Sequence, residues 1–576
     1  MQQVSSAKTE KGMKKFDFFG KVLEMLLLCG EYGTMNQNLV KSREGLPLSI
    51  VSASFILFLA VLTAVYYRIP RRGQWVVLLA ASALFYCAAG LRTAGYILLT
   101  ALSTYGAALW IDREARTQKA RLAAGRETLS REEKTALKKR STRKKRRIMA
   151  LAMVFNFGML CAFKYFHFAL AQVNHLIGAF GGREILDTFQ ILVPLGVSFY
   201  TFQSMGYLAD VYWGKAEAQG NFGKLLLFVS FFPQITQGPI SSYSELADQL
   251  YAPHSFTYEN YAWGAQRMVW GYFKKMVLAN MLAPWVNAVF QNYESYGSPA
   301  VLVGIFCYSM QIYGDFSGYM DIMCGLCQIL DIRLTENFDR PYFSKSIAEY
   351  WRRWHMSLGT WFKNYIYYPI AVSGWNKKIG KWAQKKLGKT VGRTLPASIA
   401  LVAVWLTTGL WHGASWGYIA WGGVNGLFII FSLWMEPVYA KTKKALGIRE
   451  GSGWFRAFQV IRTFLMVSFI KVLPEVGGLR RGLGLWKRAF AAWSLPKSVG
   501  ELFPYGVTKE QLCVVAAAVG LVFLTSLFQR REPVRARFNR LPLAARAAVL
   551  GILLFLILYF GVPASGSVGG FLYAQF

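Results

Sequence analysis

A histidine at position 412 lies in an apolar run where an ionisable residue is costly. The run reads LTTGLWHGASWGYIAWGG from residue 406 to 423, and the chain of 576 residues has five histidines. An ionisable group in the apolar interior of a membrane costs about 2.5–3.5 kcal/mol or more, so it needs a partner or a function. A buried imidazole stays neutral near pH 7 and can act as a general base. The structural alternative is a histidine hydrogen-bonded to a backbone carbonyl in a helix bundle.

The neighbours of His412 favour chemistry led by a single base. Gly409 and Gly413 flank it and leave room for a substrate, and Trp411 and Trp416 are expected to form a dry wall. A serine nucleophile would need a motif such as G-x-S-x-G, which is not evident. A metal site would need further histidines or carboxylates at i+3 or i+4, and His412 has none, so we predict no metal.

Other polar residues recur inside the apolar run YSMQIYGDFSGYMD. Gln311, Asp315 and Tyr319 are spaced by four positions and share one helix face. This face is either a polar seam that fixes helix packing or the lining of a substrate passage. Cys324 and Cys327 form a C-x-x-C in an apolar segment, where packing is favoured over a metal or redox role.

The elements that position these residues must be membrane helices. Hydrophobic residues make up 54% of the chain and charged residues 16%. Continuous apolar runs of about 20 residues recur along the chain, which indicates spanning helices and excludes the alternating pattern of a membrane barrel. We predict an all-α polytopic bundle with about 10–13 membrane segments, drawn from residues 48–67, 75–91, 94–111, 148–170, 190–212, 224–240, 262–290, 299–330, 396–411, 414–434, 456–473, 511–528 and 545–561.

The net charge of +35 is concentrated in connections between the apolar runs. Residues 113–147 carry fifteen Lys and Arg against four Glu, which predicts a basic cytoplasmic loop rather than a nucleic-acid arm. Residues 1–45 are interrupted by charges and do not form a convincing signal peptide. We predict an N-terminal extension, either amphipathic or disordered, before a membrane domain at 46–576.

A second candidate site lies in residues 331–395, a mixed aromatic and basic stretch. Its segment IAEYWRRWHMSLGTWFKNYIYYPI has the composition of interfacial or re-entrant helices. Glu349 can pair with Arg352 and Arg353 on a helix, and this pairing does not neutralise His355. The basic insert after Pro369 is either an ordinary cytoplasmic loop or a dock for an acidic carrier protein.

Five motifs occur in order along the chain, namely VPLGVSFYTFQSMGYLADVYWG, FFPQITQGPI, YSMQIYGDFSGYMDI, ENFDRPYFSKSIAEYWRRWHMSLGTWFKNYIYYPI and LTTGLWHGASW. Together they resemble the membrane-bound O-acyltransferase (MBOAT) family, especially its bacterial branch of alginate O-acetylation and teichoic acid D-alanyl transfer proteins. The resemblance runs from about residue 46 to the C-terminus. It implies a helical bundle around a central funnel or tunnel, and acyl transfer to a hydroxyl.

The resemblance also assigns roles to residues. It implies that His412 removes the proton from the attacking hydroxyl and that His355 holds the acceptor or the developing oxyanion. Bacterial relatives often carry a further histidine in a WGxxHG pattern where this chain has WGGVNG, which argues against a catalytic role for Asn425, although its amide can still orient a neighbour. We predict that substrate is contacted by Gln311, Asp315, Tyr319, Trp354 and Asn425.

The expected protein is a multi-pass O-acyltransferase of a bacterial plasma membrane. It would transfer acetyl from a cytoplasmic thioester, either acetyl-CoA or an acyl carrier protein, to an extracytoplasmic polysaccharide or cell-wall polymer. No tightly bound cofactor or nucleic acid is expected, and an extracytoplasmic SGNH-type partner is compatible with this role. The alternatives are D-alanyl transfer to teichoic acid from a carrier protein, a transporter or flippase, and a non-enzymatic scaffold; no internal repeat supports a transporter.

Overall fold

The fold is built from helices throughout the part of the chain that the structure describes. A computed structural model describes residues 49–88, 90, 94–181, 193–494, 496, 499–503 and 508–563. Within these ranges there is no named strand, and one isolated antiparallel bridge joins Phe338 and Trp354. The all-α fold class is therefore confirmed, whereas the extension predicted at 1–45 lies outside the described residues.

The helices follow the apolar runs closely. The first half contains α1 Ala53–Arg68, α2 Gln74–Ala88, α3 Ala94–Ala124, α4 Arg131–Ala179, α5 Val197–Trp213, α6 Phe222–Ser230, α7 Phe232–Ile235, α8 Tyr243–Tyr251, α9 Tyr258–Tyr272, α10 Asn280–Gln291 and α11 Ser298–Ile329. The second half contains α12 Ile347–Arg353, α13 Met356–Phe362, α14 Tyr368–Ala371, α15 Gly374–Leu387, α16 Lys389–His412, α17 Trp416–Ala445, α18 Gly453–Val472, α19 Leu479–Ala491, α20 Val499–Leu502, α21 Lys509–Phe528, α22 Val534–Arg540 and α23 Leu543–Phe560.

Six of the described helices are long and apolar enough to cross a membrane, namely α3, α4, α16, α17, α21 and α23. Other predicted spans are interrupted: the run 224–240 breaks into α6 and α7, and the run 262–290 contains a π-helical turn at Phe273–Ala279. An interrupted helix satisfies its backbone at membrane depth only where protein surrounds it. The number of crossings therefore stays a prediction.

The long helices carry apolar side chains on their outer surface. Leu151 and Val154 on α4 are each 72% exposed, and Leu558 on α23 is 83% exposed. An apolar surface of this kind is stable against lipid and unstable against water. These faces are consistent with a polytopic membrane protein.

The basic segment at 113–147 is helical rather than an open loop. The helix α3 continues to Ala124, α4 begins at Arg131, and the two are joined by a short turn. Ser130 caps α4, because its hydroxyl accepts from the amide of Glu133 and the Glu133 carboxylate accepts from the amide of Ser130 at 2.7 Å. Local helix signals therefore outweigh charge repulsion here; the cytoplasmic placement stays a prediction.

The buried centre of the bundle is α11, a helix of 32 residues. It approaches α9 closely where Gly271 faces Gly318, since a Cβ on Gly271 would lie 2.7 Å from the Gly318 carbonyl oxygen. The following region is a series of short helices, α12 to α15, folded against this core. Trp354 and Trp361 in that region are buried, whereas Trp375 and Trp382 are exposed. This mixture fits the interfacial or re-entrant region predicted at 331–395.

Candidate active site

His412 is the last residue of α16, at a tight turn into α17. Its side chain is 3% exposed. Ser415 caps α17 through its hydroxyl, which accepts from the amide of Tyr418. Gly409 permits the close approach of the two helices, because a Cβ there would lie 2.5 Å from the Tyr418 carbonyl oxygen. The turn therefore places an imidazole in the interior of a helical hairpin.

The carbonyl end of α16 is held by α4. The Lys164 ammonium donates to the carbonyl of Trp411, and the Tyr165 hydroxyl donates to the carbonyl of Leu410. The last carbonyls of a helix have no partner within it, and a cation near them is favourable. These two contacts fix the end of the helix that carries His412.

Aromatic rings surround His412. The centroids of Trp411 and Trp421 each lie 4.9 Å from the imidazole centroid in edge-to-face arrangements, and Tyr418 is nearly parallel to it at 6.4 Å. Trp416, which we expected in this wall, points away and donates its indole N–H to Gln172. Trp416 is 57% exposed because it begins α17 on the outer side of the hairpin.

The fold brings His355 to the same aromatic wall from 57 positions earlier in the chain. The Trp411 centroid lies 6.1 Å from the His355 ring and 4.9 Å from the His412 ring. His355 precedes α13 with a φ of +51°, a left-handed conformation that is uncommon for a residue with a side chain. Its Nδ1 lies 3.3 Å from Oδ1 of Asn337, which also accepts from the amide of Ser357. A defined turn therefore positions the imidazole.

A small cavity opens beside His412. Its walls include the end of α18, the start of the connection that follows it, and tryptophans of α12 and α17. The lining residues are Tyr308, Ile312, Trp351, Trp354, His412, Tyr418, Trp421, Lys471, Pro474 and Glu475. We call it the histidine cavity. Of the predicted site residues, His412 and Trp354 line it directly.

Asn425 acts on this cavity through two tryptophans. Its Oδ1 accepts from the indole N–H of Trp351 at 3.0 Å, and its amide donates to the carbonyl of Trp421 at 2.8 Å. Both tryptophans are cavity walls. Asn425 therefore helps to hold both tryptophans in place, and its predicted contact with substrate stays a prediction.

The three predicted residues on α11 lie on one buried helix face. Asp315 is ion-paired with Lys275, and the Tyr319 hydroxyl is hydrogen-bonded to that of Thr236. Gln311 is also buried. None of the three lines the histidine cavity, and their contacts with substrate stay a prediction.

Several residues of the site were not predicted from the sequence. Lys164 and Lys471 lie within predicted spans, and an ionisable side chain in an apolar run is a signal that could have identified both. Glu475 follows α18 in the connection to α19, where it accepts from the Tyr418 hydroxyl at 3.4 Å. Burial raises the pKa of the Glu475 carboxyl to about 7, against the lowering effect of hydrogen bonds from Tyr308 and Tyr418.

Comparison with known proteins identifies the family to which this site belongs. The family described as MBOAT, membrane-bound O-acyltransferase, matches residues 219–466. This range includes both histidines and ends before Lys471.

Three relatives show what the chain is similar to. A protein of Azotobacter vinelandii named "Probable alginate O-acetylase AlgI" is 33% identical over 411 residues, 71% of each chain. A "Peptidoglycan O-acetyltransferase" of Helicobacter pylori is 31% identical over 58% of this chain and 65% of its own. A "Teichoic acid D-alanyltransferase" of Streptococcus thermophilus is 26% identical over 50% of this chain and 69% of its own.

The chain belongs to the membrane-bound O-acyltransferase family. It is an O-acyltransferase and a multi-pass membrane protein with bacterial relatives. This assignment sets aside the transporter and scaffold alternatives.

Proposed function

We propose that this enzyme transfers an acyl group, acetyl in the first instance, from a thioester donor to hydroxyls of a polysaccharide or cell-wall polymer outside the plasma membrane. The observation that carries the proposal is the burial of His412 beside a cavity with aromatic walls. The names of the alginate and peptidoglycan relatives support a glycan acceptor and an acetyl group. The donor would be acetyl-CoA or an acyl carrier protein, with no tightly bound cofactor.

The proposed step has one base and one leaving group. His412 accepts the proton of the acceptor hydroxyl while its oxygen attacks the thioester carbonyl carbon. The C–S bond then breaks, the acyl group stays on the acceptor oxygen, and the thiolate takes the proton from the imidazolium. His355 holds the acceptor or the oxyanion of the tetrahedral intermediate, which is a role for a hydrogen-bond donor placed in advance.

The helix ends support a transfer from the cytoplasm outwards. Lys164, which contacts the end of α16, lies 17 residues after Arg147 on α4. At 1.5 Å per residue this is about 26 Å from the basic end of the helix. The helix α17 also ends in basic residues, so His412 lies far from the basic ends of both α4 and α17. By the positive-inside rule, His412 is then nearer the outer face, where an SGNH-type partner could receive the product.

The test uses a host strain that lacks the gene. Mild alkali releases ester-linked acids from purified envelope polymers, and mass spectrometry identifies them. Expression of the intact protein is expected to restore the release of one ester-linked acid. The His412→Ala variant at equal protein level is expected to give about 10²–10⁴-fold less of that acid. His175→Ala, at an exposed position on α4, is the matched control and should restore the full amount. Full ester content with His412→Ala would refute the proposal.

The same measurement decides the second candidate function. Similarity to a teichoic acid D-alanyltransferase favours D-alanyl transfer from a carrier protein as the alternative. Release of D-alanine instead of acetate, in a His412-dependent manner, would establish this alternative and reject acetyl transfer.

A further inference from the structure

Lys471 is a buried lysine in the wall of the histidine cavity. Lys471 is 5% exposed and lies near the end of α18. Two other buried lysines, Lys274 and Lys275, are each ion-paired with an aspartate. Among the described residues, no carboxylate oxygen lies within 4.0 Å of the Lys471 Nζ. An ammonium buried without a counter-ion is costly, so its position calls for an explanation.

Aromatic rings compensate part of this cost. The Nζ lies 3.9 Å from the ring centroid of Trp354, 4.7 Å from that of Tyr342 and 5.1 Å from that of Tyr350. The negative face of an aromatic ring attracts a cation, and the attraction strengthens when water is excluded. The three rings therefore favour the protonated amine, and an anionic ligand in the cavity would favour it further.

A hydrogen-bond chain fixes the position of the ammonium. The Tyr342 hydroxyl donates to the carbonyl of Ser309 at 2.5 Å, so it accepts from the Nζ of Lys471 at 2.9 Å. An ammonium has three N–H donors, and Tyr342 takes one of them. The charge is thus held in place while donor capacity remains for a ligand in the cavity.

We propose that Lys471 binds an anionic group, a carboxylate or a phosphate, on the acceptor whose hydroxyl reaches His412. This inference rests on the proposed function, because it places the acceptor in the histidine cavity. A charge-assisted hydrogen bond in a dry site is strong and directional, so it would select acidic polymers over neutral ones. The acceptor, rather than the donor, is assigned to Lys471 because the site lies away from the basic helix ends.

Glu475 supports this assignment rather than opposing it. Its carboxyl lines the same cavity and is hydrogen-bonded to Tyr418. Burial raises the pKa of this carboxyl to about 7, so below neutrality it is mainly protonated and does not repel an anion.

The experiment measures binding to the purified full-length protein in lipid nanodiscs. The probes are a tetrasaccharide of uronic acids, the same tetrasaccharide with its carboxyl groups reduced to alcohols, and a tetramer of glycerol phosphate. The unmodified protein is expected to bind one acidic probe at least about tenfold more tightly than the neutral one. The preferred acidic probe distinguishes a carboxylate from a phosphate.

Variants connect the preference to Lys471. Lys471→Met should abolish it, Lys471→Arg should retain most of it, and Lys443→Met, at a lysine paired with Glu450 outside the cavity, should leave it intact. Size-exclusion profiles check that each variant is folded. If Lys471→Met does not fold, Lys471→Arg still tests whether a cation at this position maintains the preference. Equal binding of acidic and neutral probes, binding of neither acidic probe, or a preference that persists in Lys471→Met would overturn the inference.

The two proposals fail in distinguishable ways. Failure of the proposed function appears as full ester content in cells with His412→Ala. Failure of the Lys471 proposal appears as equal binding of acidic and neutral probes by the unmodified protein, or as a preference that persists in Lys471→Met. Either result leaves the ester measurement unaffected.

Discussion

Charged side chains are buried in two parts of the bundle, and their surroundings differ. The ion-pair cluster lies along α9, the π-helical turn after it and α11, and each of its cations contacts a carboxylate. It consists of Arg267, Lys274, Lys275, Asp315 and Asp321. In the histidine cavity, Lys471 and His412 are surrounded mainly by aromatic rings. One region pairs its charges internally, and the other places a lysine and a histidine beside a cavity.

This difference separates structural charges from functional ones. A buried ion pair is self-contained, so it needs no ligand, and removal of one partner leaves an uncompensated charge. A cation held by rings can still accept an anionic ligand. Substitutions in the ion-pair cluster should therefore lower stability, whereas substitutions in the histidine cavity should impair substrate binding or acyl transfer.

The largest expected effect on stability comes from the ion-pair cluster. Lys275→Met removes the ammonium that is ion-paired with the buried Asp315 and should destabilise the protein by about 3–5 kcal/mol. The measurement is the thermal unfolding midpoint in detergent, together with the yield of folded protein. The double variant Lys275→Met with Asp315→Leu removes both charges and should recover most of the loss. A single variant as stable as the unmodified protein would contradict the structural role of this pair.

A smaller effect is expected where α4 holds the end of α16. Lys164→Met removes the donor to the Trp411 carbonyl and should slow acyl transfer about tenfold, because His412 is less well positioned. The free energy of unfolding should change by no more than about 1 kcal/mol. Lys164→Arg keeps a donor and should recover most of the rate. An unchanged rate in Lys164→Met would show that this contact does not position His412.

The pH dependence of stability provides a third test. The pKa of Glu475 is raised in the folded protein to about 7, so its stabilising contribution is complete below its unfolded pKa and is lost as pH rises through 7. The groups facing it are Tyr308, His412, Tyr418 and Lys471. Stability should fall by about 1 kcal/mol between pH 6 and pH 8.

Glu475→Gln is the matched variant for this test, because it keeps the shape of the protonated carboxyl and cannot titrate. Its unfolding midpoint should lack the fall between pH 6 and pH 8. The same fall in both proteins would assign the titration to another group.

The smallest effect is expected at the surface of the helical hairpin α3–α4. Lys144 pairs with Glu114 at 2.7 Å, but the lysine side chain is 52% exposed. Lys144→Ala should change stability by less than about 1 kcal/mol, because water screens an exposed pair. A loss as large as that of Lys275→Met would remove the distinction between buried and exposed pairs.

Much of the fold could be predicted because apolar runs are long and continuous. The expected span at 299–330 corresponds to α11 at Ser298–Ile329, and that at 511–528 corresponds to α21 at Lys509–Phe528. The breaks at Phe231 and at Phe273–Ala279 were not predicted, because buried surroundings and not local composition permit them. Residues 113–147 were expected to form a basic cytoplasmic loop without a stated secondary structure, and their helix formers and the capping box at Ser130 favour a helical hairpin.

The candidate site was partly predictable. His412 and His355 stood out through their sequence context, and the fold places both next to the Trp411 ring. The contact of Lys471 with Trp354 joins residues 117 positions apart, and such tertiary contacts have no local signature. Similarly, the spacing of Gln311, Asp315 and Tyr319 indicated a shared face but not that Lys275 pairs with Asp315.

The most direct test of the account is the rate at which envelope polymer gains alkali-labile ester after expression is induced in the strain that lacks the gene. With equal amounts of folded protein, ester should accumulate at least about 100-fold more slowly in the strain with His412→Ala than in the strain with the unmodified protein. Equal rates in the two strains would contradict the assignment of His412 as the base.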